Sequence, residues 1–486
     1  MSQPQNLRVI IIGGGLAGLV MGIMLDRAGI DYHILEQASR LRPLGTSISL
    51  HPVIVDIMDQ LGLLEGMRKM SKPLRGITVL SANGRKKGRI DARSNKRKNG
   101  HQAMVMSRPD LHEFLLSKIP AGKLTTGKRV IDISETQSDV TVTCMDETTY
   151  AGHLVVGADG AYSATRQIIY QRLTDQGLLP ESDKMPLHFD KQCVVGMTCP
   201  LDPAKYPVLQ DESCEVKVLL GKDQHTSMWI LPLQGNRMAW CVGGPDPHLI
   251  HNDEDHDSDG SHSSRGRDWY PETAVEICED VRNFKCPYGG SVMDLIEATP
   301  KGLVSKVLLE EKMYRTWYNG RVVLVGDGKH NNGFGSATRG MYASLYYVHL
   351  VLTALISPVF FSAHPCRVIA CHKIVPFFGQ GASQAILDCA CLVNMLNELQ
   401  SFAVQDLANV FEKYVDMRSE TARVASDSSR EFADLIYEQG FKADMARNIV
   451  LRFTPAWLLR MITGNVNTDR PSLNFLPPPK SSFNKP

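Results

Sequence analysis

Arg8-Val9-Ile10-Ile11-Ile12-Gly13-Gly14-Gly15-Leu16-Ala17-Gly18 runs an apolar strand into a glycine turn and out into a helix. The helical pattern covers Leu16–Ala28 and stops at Gly29, and a second strand follows at Tyr32–Glu36, which completes a β-α-β unit. Each glycine of the G-x-G-x-x-G pattern has its own task. Gly13 permits the tight turn, Gly15 lets a pyrophosphate approach the N–H groups at the helix N-terminus, and Gly18 allows close helix–strand packing. Glu36 ends the second strand 18 residues beyond Gly18. There its carboxylate can accept hydrogen bonds from both hydroxyls of an adenosine ribose, and its charge disfavours a 2′-phosphate. A glycine turn alone would say little, but the complete unit points to a bound dinucleotide. The apolar run Val9–Leu25 could be taken for a signal-peptide core, but its glycines fit a strand, a turn and a helix instead.

Working outward, 486 residues with 43% hydrophobic content are enough for a large core in two interleaved lobes. The 53 Lys and Arg balance 52 Asp and Glu, which leaves no footprint for nucleic acid or an anionic membrane and favours a small-molecule partner. The 11 cysteines are scattered without CxxC or zinc-ligand spacing, so no metal site is expected and they read as reduced core thiols of a cytoplasmic protein. Peripheral contact with a membrane is left open.

Further along, a helix is expected around Val53–Leu61, ending at Leu61-Gly62-Leu63, and another at Asp110–Ile119, opened by Ser107 and Pro109. Alternating stretches at Val140–Cys144, Glu215–Leu220, Ser227–Leu231 and Met238–Val242 suit an antiparallel sheet in a substrate-facing lobe, centred on residues 186–296. His251–Arg267 contains Asp255-x-Asp257-x-Asp259-Gly260, the opening of a calcium loop, but Gly266 stands where the bidentate glutamate is needed, so a solvated loop is the better reading. Val404–Tyr437 is helical in pattern, and the tail after Asp469 is proline-rich.

Two more motifs follow. Leu154-Val155-Val156-Gly157-Ala158-Asp159-Gly160-Ala161-Tyr162-Ser163-Ala164-Thr165-Arg166 contains GADGxxSxxR, and Val322-Val323-Leu324-Val325-Gly326-Asp327 is a buried strand that ends in a carboxylate. A further stretch, Ala370-Cys371-His372-Lys373-Ile374-Val375-Pro376-Phe377-Phe378-Gly379-Gln380-Gly381-Ala382, carries His-x-x-x-Pro and a Gly-Gln-Gly turn. Together these resemble the FAD-dependent monooxygenases of the single-component, aromatic-hydroxylase family over most of the chain. The resemblance implies an α/β, Rossmann-like FAD-binding fold: a three-layer, mostly parallel sheet with an interleaved antiparallel substrate lobe and a helical C-terminus. It assigns residues 1–185 and 297–400 to the FAD domain, 186–296 to the substrate lobe and 401–486 to the C-terminal helical segment and tail.

The resemblance also implies the contacts. Asp159, Gly160 and Arg166 would meet both FAD and a visiting nicotinamide cofactor, Asp327 would hold the ribityl chain, and Pro376, Gly379, Gly381 and Ala382 would face the flavin's pyrimidine edge. His372 reads as structural. Leu44-Gly45-Thr46-Ser47-Ile48-Ser49 and Ser107-Arg108-Pro109-Asp110-Leu111 resemble the branch of fungal epoxidases that act on prenylated metabolites, in which Arg108's counterpart contacts the flavin. Ser49 stands where that branch usually has glycine.

By this resemblance, tightly bound, non-covalent FAD takes hydride from NAD(P)H, reacts with O2 and passes oxygen from a C4a-hydroperoxyflavin to an aromatic or alkene substrate. Only one G-x-G-x-x-G unit is present, so NAD(P)H is expected as a transient visitor. No side chain can be named as catalytic acid or base. A reductase or halogenase of the same fold, a non-catalytic nucleotide-binding protein and an inactive mis-spliced product stay open.

Residues 328–369 separate Asp327 from the loop that should follow it, and these 42 residues contain no Asp or Glu. Within them Leu345–Phe361 is 17 residues without formal charge. As a membrane span it would put Asp327 and Gly379 on opposite sides of a bilayer, so no membrane span is assigned. Gly328-Lys329 can be encoded GGT-AAG, which holds a splice donor, and Ile369-Ala370 can be encoded ATA-GCN, which holds an acceptor; removing the bases between them restores an alanine codon in frame. A translated, retained intron is therefore the expected origin of 328–369, and a chain that keeps it is expected to be a poor flavoprotein.

Overall fold

The computed structural model describes residues 7–41, 45–93, 101–185, 188–221, 226–245, 275–311, 314–326, 380–437, 445 and 471–479. The expected β-α-β unit forms as Arg8–Ile12, Leu16–Ala28 and Asp31–Leu35, with Glu36 one residue past the second strand. Gly29 closes the helix in the left-handed region at φ 71°, a conformation that favours glycine.

These strands sit in a six-stranded sheet in the order 318–319, 322–324, 154–157, 8–12, 31–35, 124–125, parallel throughout except for the outermost 318–319. Alternation along Arg8–Ile12 sends Val9 and Ile11 to one core and Ile10 and Ile12 to another. The first core is covered by helices Leu16–Ala28, Gln380–Glu398 and Val404–Tyr437. The second is covered by helix Ala164–Asp175 and a three-stranded antiparallel sheet. This is the three-layer arrangement expected.

Val140–Cys144 belongs to that small sheet, between Val130–Glu135 and Thr149–Gly152, and not to the substrate lobe. Its alternation marks a half-buried strand correctly; the pairing goes to the nearest strands in the chain, because short connections close most readily.

The large sheet has nine strands, ordered 305–311, 188–197, 238–245, 227–232, 214–220, 71–81, 104–107, 47–50, with 86–91 paired to 71–81. It thus draws strands from either side of residues 186–296. Cys214–Leu220 runs parallel to Ser71–Ser81, while the other pairings are antiparallel. Within it, Thr46 Oγ1, just before strand 47–50, donates to the Gly196 carbonyl at 2.6 Å, and a bidentate ion pair from Arg237 to Asp110 ties the sheet to helix Arg108–Leu116, which packs on the first core.

Ser107 caps helix Arg108–Leu116 by accepting from the Asp110 N–H, as its place before Pro109 implies. In the tail, Gln60 brackets Leu473 through its N–H and its carbonyl, and Asn394 does the same for Ser472 and Asn474. Leu473 is buried by these contacts. The calcium-like sequence 255–260 and the segment 328–369 lie outside the described residues. Among the described residues no helix is long and apolar enough to cross a membrane.

Candidate functional site

The glycine turn is built by close approach. Gly13 adopts φ 110°, and a Cβ there would stand 2.5 Å from the Ala158 carbonyl oxygen and 2.9 Å from the Asp159 Cα. The first two motifs therefore touch, because their strands are parallel neighbours in register from Val9↔Leu154 to Ile12↔Gly157. At Gly18 a Cβ would lie 1.9 Å from the Gly13 carbonyl oxygen, so the first turn of the helix rests directly on the loop. Gly15 differs: it is the N-cap, its backbone is extended at φ −75°, no side chain caps the helix, and a Cβ would meet no atom of the described residues within 4 Å. The uncapped N–H groups and the positive end of a 13-residue helix thus face open space of a kind that suits a pyrophosphate.

Glu36 stands beside that helix end. Its Oε2 accepts from the Gly14 N–H at 2.7 Å and its Oε1 from the Ala38 N–H at 2.8 Å. Each carboxylate oxygen keeps a further lone pair, so ribose hydroxyls can be accepted as well. His112 was not singled out from sequence, yet its Nε2–H donates to the Gly14 carbonyl at 2.8 Å. The available signal was its place one helical turn into the helix that Ser107 and Pro109 open.

Arg108 lies against the backbone of Gly45, where φ is 102° and a Cβ would be 3.0 Å from the Arg108 Cδ. The Arg108 N–H donates to the Thr46 carbonyl at 2.9 Å, and Ser49, half-buried, pairs across the sheet with Val105. The two residues therefore flank one short segment.

In the second motif, Asp159 accepts from Ser163 Oγ at 2.5 Å and from both the N–H and the hydroxyl of Thr165 at 2.9 Å. Ser163 in turn caps helix Ala164–Asp175 by accepting from the Arg166 N–H. Arg166 is buried, donates to the Ala161 carbonyl at 2.7 Å and stacks its guanidinium 4.5 Å from the centre of the Tyr314 ring. These side chains shape the turn. Gly160, at φ 78°, presents backbone that no atom of the described residues approaches within 4 Å from the Cβ direction.

Gly326 closes the third motif at φ 62°, where a Cβ would sit 3.1 Å from the Ala385 Cβ and 3.5 Å from the Ala17 Cβ. The strand end is thus wedged between the glycine-turn helix and helix Gln380–Glu398. Gly381 and Ala382 lie in the first turn of that helix, and Ser383 beside them accepts from the His51 N–H at 3.0 Å. Burial pushes the His51 imidazole down to about 4, so it is neutral at physiological pH. Asp327, Pro376 and Gly379 lie outside the described residues. Among the described residues no cluster suited to a metal ion occurs.

Residues 6–245 match the family model for an FAD binding domain. The chain carries an FAD binding domain and is similar along most of its length to FAD-dependent monooxygenases. Among its relatives, FAD-dependent monooxygenase atmM of Aspergillus flavus is 26% identical, with 99% of this chain and 89% of the relative covered. FAD-dependent monooxygenase ptmM of Penicillium ochrochloron is 27% identical, with 84% and 82% covered. The same fold occurs in Klebsiella pneumoniae HpxO complexed with FAD and uric acid, with a TM-score of 0.68, 19% identity and 95% and 96% of the two chains covered. A salicylate hydroxylase substrate complex matches with a TM-score of 0.62 and 17% identity, with 96% of each chain covered. The glycine turn fits the dinucleotide that an FAD binding domain takes: the Cβ direction of Gly15 is open among the described residues, and the Glu36 carboxylate lies beside the same helix end.

Proposed function

We propose that this flavoprotein uses NAD(P)H and O2 to hydroxylate or epoxidise a small, largely apolar organic substrate. The carrying observation is convergence: Glu36 is bonded to the Gly13–Gly18 turn, and Gly326 packs against Ala17 of the helix that follows that turn and against Ala385 of helix Gln380–Glu398, which brings the three motifs together in a way that suits one dinucleotide. No second glycine unit accompanies it, which supports a nicotinamide cofactor that visits and leaves.

When bound, FAD would supply the redox chemistry, as acceptor of hydride and activator of O2. The protein supplies binding, orientation and exclusion of water. The N-terminus of helix Leu16–Ala28 would hold the pyrophosphate and Glu36 the ribose, while His112 braces the turn through the Gly14 carbonyl. The first turn of helix Gln380–Glu398, with Gly381 and Ala382, offers backbone N–H groups and a positive helix end to the electron-rich flavin edge. Asp159 and Arg166 keep the GADG turn in shape, so their implied approach to the cofactors runs through the backbone of Gly160.

The aromatic or alkene substrate is proposed from the family resemblance. Across the sheet from Ser49 stands Val105, in one largely buried apolar cluster with Met197, Trp229, Leu231, Ala239 and Cys241, so the sheet beside this strand has an apolar interior.

The test is stopped-flow reduction of the flavin by NADH and NADPH, with and without a panel of apolar aromatics and alkenes, followed by mass spectrometry of the organic products. Reduction is expected to be slow until a proper substrate is present and then to yield a product one oxygen atom heavier. Fast reduction without substrate and without an oxygenated product would mean an oxidase or reductase instead.

A further inference from the structure

We propose that helix Val404–Tyr437 belongs to the flavin-holding machinery: through Tyr414 and Arg418 it fixes the end of the strand that leads into Asp327. The two side chains are four residues apart and so lie on one face of the helix. The Tyr414 hydroxyl donates to the Leu324 carbonyl at 3.3 Å, and its ring meets Trp317 edge-on with centroids 5.7 Å apart. One turn later, Arg418 Nε donates to Asp388 Oδ1 at 2.9 Å and Arg418 Nη2 donates to Gln384 Oε1 at 2.6 Å. Asp388 Oδ2 accepts from the Gly326 N–H at 3.1 Å.

The placement follows from where the sheet stops. Val325 makes a ladder bond to the Gly157 carbonyl at 2.9 Å, and beyond it the neighbouring strand turns away into the Asp159 motif. The Gly326 N–H is therefore left without a strand partner inside the core, and a buried N–H must find one. The carboxylate of Asp388 takes that place.

A buried ion pair is a poor way to gain stability, since apolar residues of similar volume do as well or better, but it is a good way to specify one arrangement. Here the Asp388 and Arg418 side chains are only 3% and 8% exposed. Gln384 and Asp388 lie on the helix that carries Gly381 and Ala382 in its first turn. One network thus sets two flavin-facing segments against each other, the strand end at Gly326 and the start of helix Gln380–Glu398. Arg418 and Tyr414 are positioning residues in this account.

The experiment uses the full chain with two variants, Tyr414→Phe and the paired apolar replacement Asp388→Leu with Arg418→Met. FAD affinity is read by equilibrium fluorescence titration, the bound flavin by visible circular dichroism, and the fold by thermal melting of the apo-protein. These readouts do not depend on what the enzyme oxidises, so they stand or fall apart from the proposed reaction. The paired variant is expected to fold and to melt a few degrees below wild type, because the Gly326 N–H loses its acceptor, while binding FAD about tenfold more weakly, the size of one lost hydrogen bond to a charged group, with an altered flavin dichroism. Tyr414→Phe should move the same two flavin readouts in the same direction. Wild-type affinity and dichroism in folded variants would overturn the proposal. Loss of folding in both would overturn it as well, because the network would then serve stability and not position.

Discussion

The carboxylate of Glu36 accepts a hydrogen bond from the N–H of Gly14 at 2.7 Å, so the residue that follows the second strand is tied to the turn that opens the first helix. This contact holds Glu36 and the N-terminal end of the first helix together. Glu36→Ala should weaken FAD binding by more than tenfold, since it removes the ribose acceptor and the bracing of the turn together. Glu36→Gln should fall between, because an amide oxygen still accepts from Gly14 but carries no charge. Fluorescence titration of FAD into the apo-proteins measures this, and wild-type affinity in Glu36→Ala would remove Glu36 from the site.

His112 braces the same turn from the other side, through the Gly14 carbonyl at 2.8 Å. The helix that carries it is held to the substrate sheet by the Asp110–Arg237 ion pair. His112→Ala should weaken FAD severalfold, by roughly the 0.5–1.5 kcal/mol of one hydrogen bond, and His112→Gln, which can still donate, should recover part of it. Equal affinity in all three proteins would make the contact incidental.

Glu215 gives a pH-dependent prediction for the substrate sheet. Burial pushes its carboxyl up, but the Thr78 hydroxyl, Lys217 and Arg75 outweigh burial and hold it at about 2, below its ordinary 4.5. A carboxyl depressed in the folded state stabilises fully above the unfolded value and loses that contribution as pH falls toward the folded one. Glu215→Gln should therefore lower the melting temperature at neutral pH, and the difference from wild type should shrink as pH drops from about 4.5 towards about 2. A difference that is constant over that range would mean that the ionised form is not what stabilises the sheet.

The segment 328–369 is proposed to be a translated intron, on the strength of its composition and its possible splice junctions. Transcripts across the Gly326–His372 codons should include a form that joins the Asp327 codon to an alanine codon. Protein made from that form should bind FAD more tightly than the full chain. Transcripts that all keep the segment, with no gain in affinity on its removal, would make it a genuine insertion.

The cofactor half of the fold was legible because its signals are local. Gly13, Gly15, Gly18 and Glu36 sit at fixed spacings set by one β-α-β unit, and Ser107 with Pro109 announces its helix directly. The sheet pairings were less legible. Alternation identifies Val140–Cys144 as a strand but carries no information about its partner, and the parallel pairing of Cys214–Leu220 with Ser71–Ser81 joins segments far apart in the chain. His112, Asp388 and Arg418 were missed for a related reason. Each is an ordinary polar residue on a helix, and its role arises only when tertiary packing brings it to a backbone group that secondary structure leaves unpaired.

The central claim is that FAD binds with its pyrophosphate at the N-terminus of helix Leu16–Ala28. Gly15 tests it most directly, because its backbone is extended and a Cβ there would meet no atom of the described residues within 4 Å, so a substitution is tolerated by those residues and acts on the ligand. The measurement is equilibrium titration of FAD into the apo form of the full chain and of Gly15→Glu, with thermal melting of both. The account predicts saturable binding of one FAD per chain, abolished in Gly15→Glu while the melting temperature of the apo-protein stays near wild type. Absence of saturable binding in the parent chain, or undiminished binding in Gly15→Glu, would contradict it.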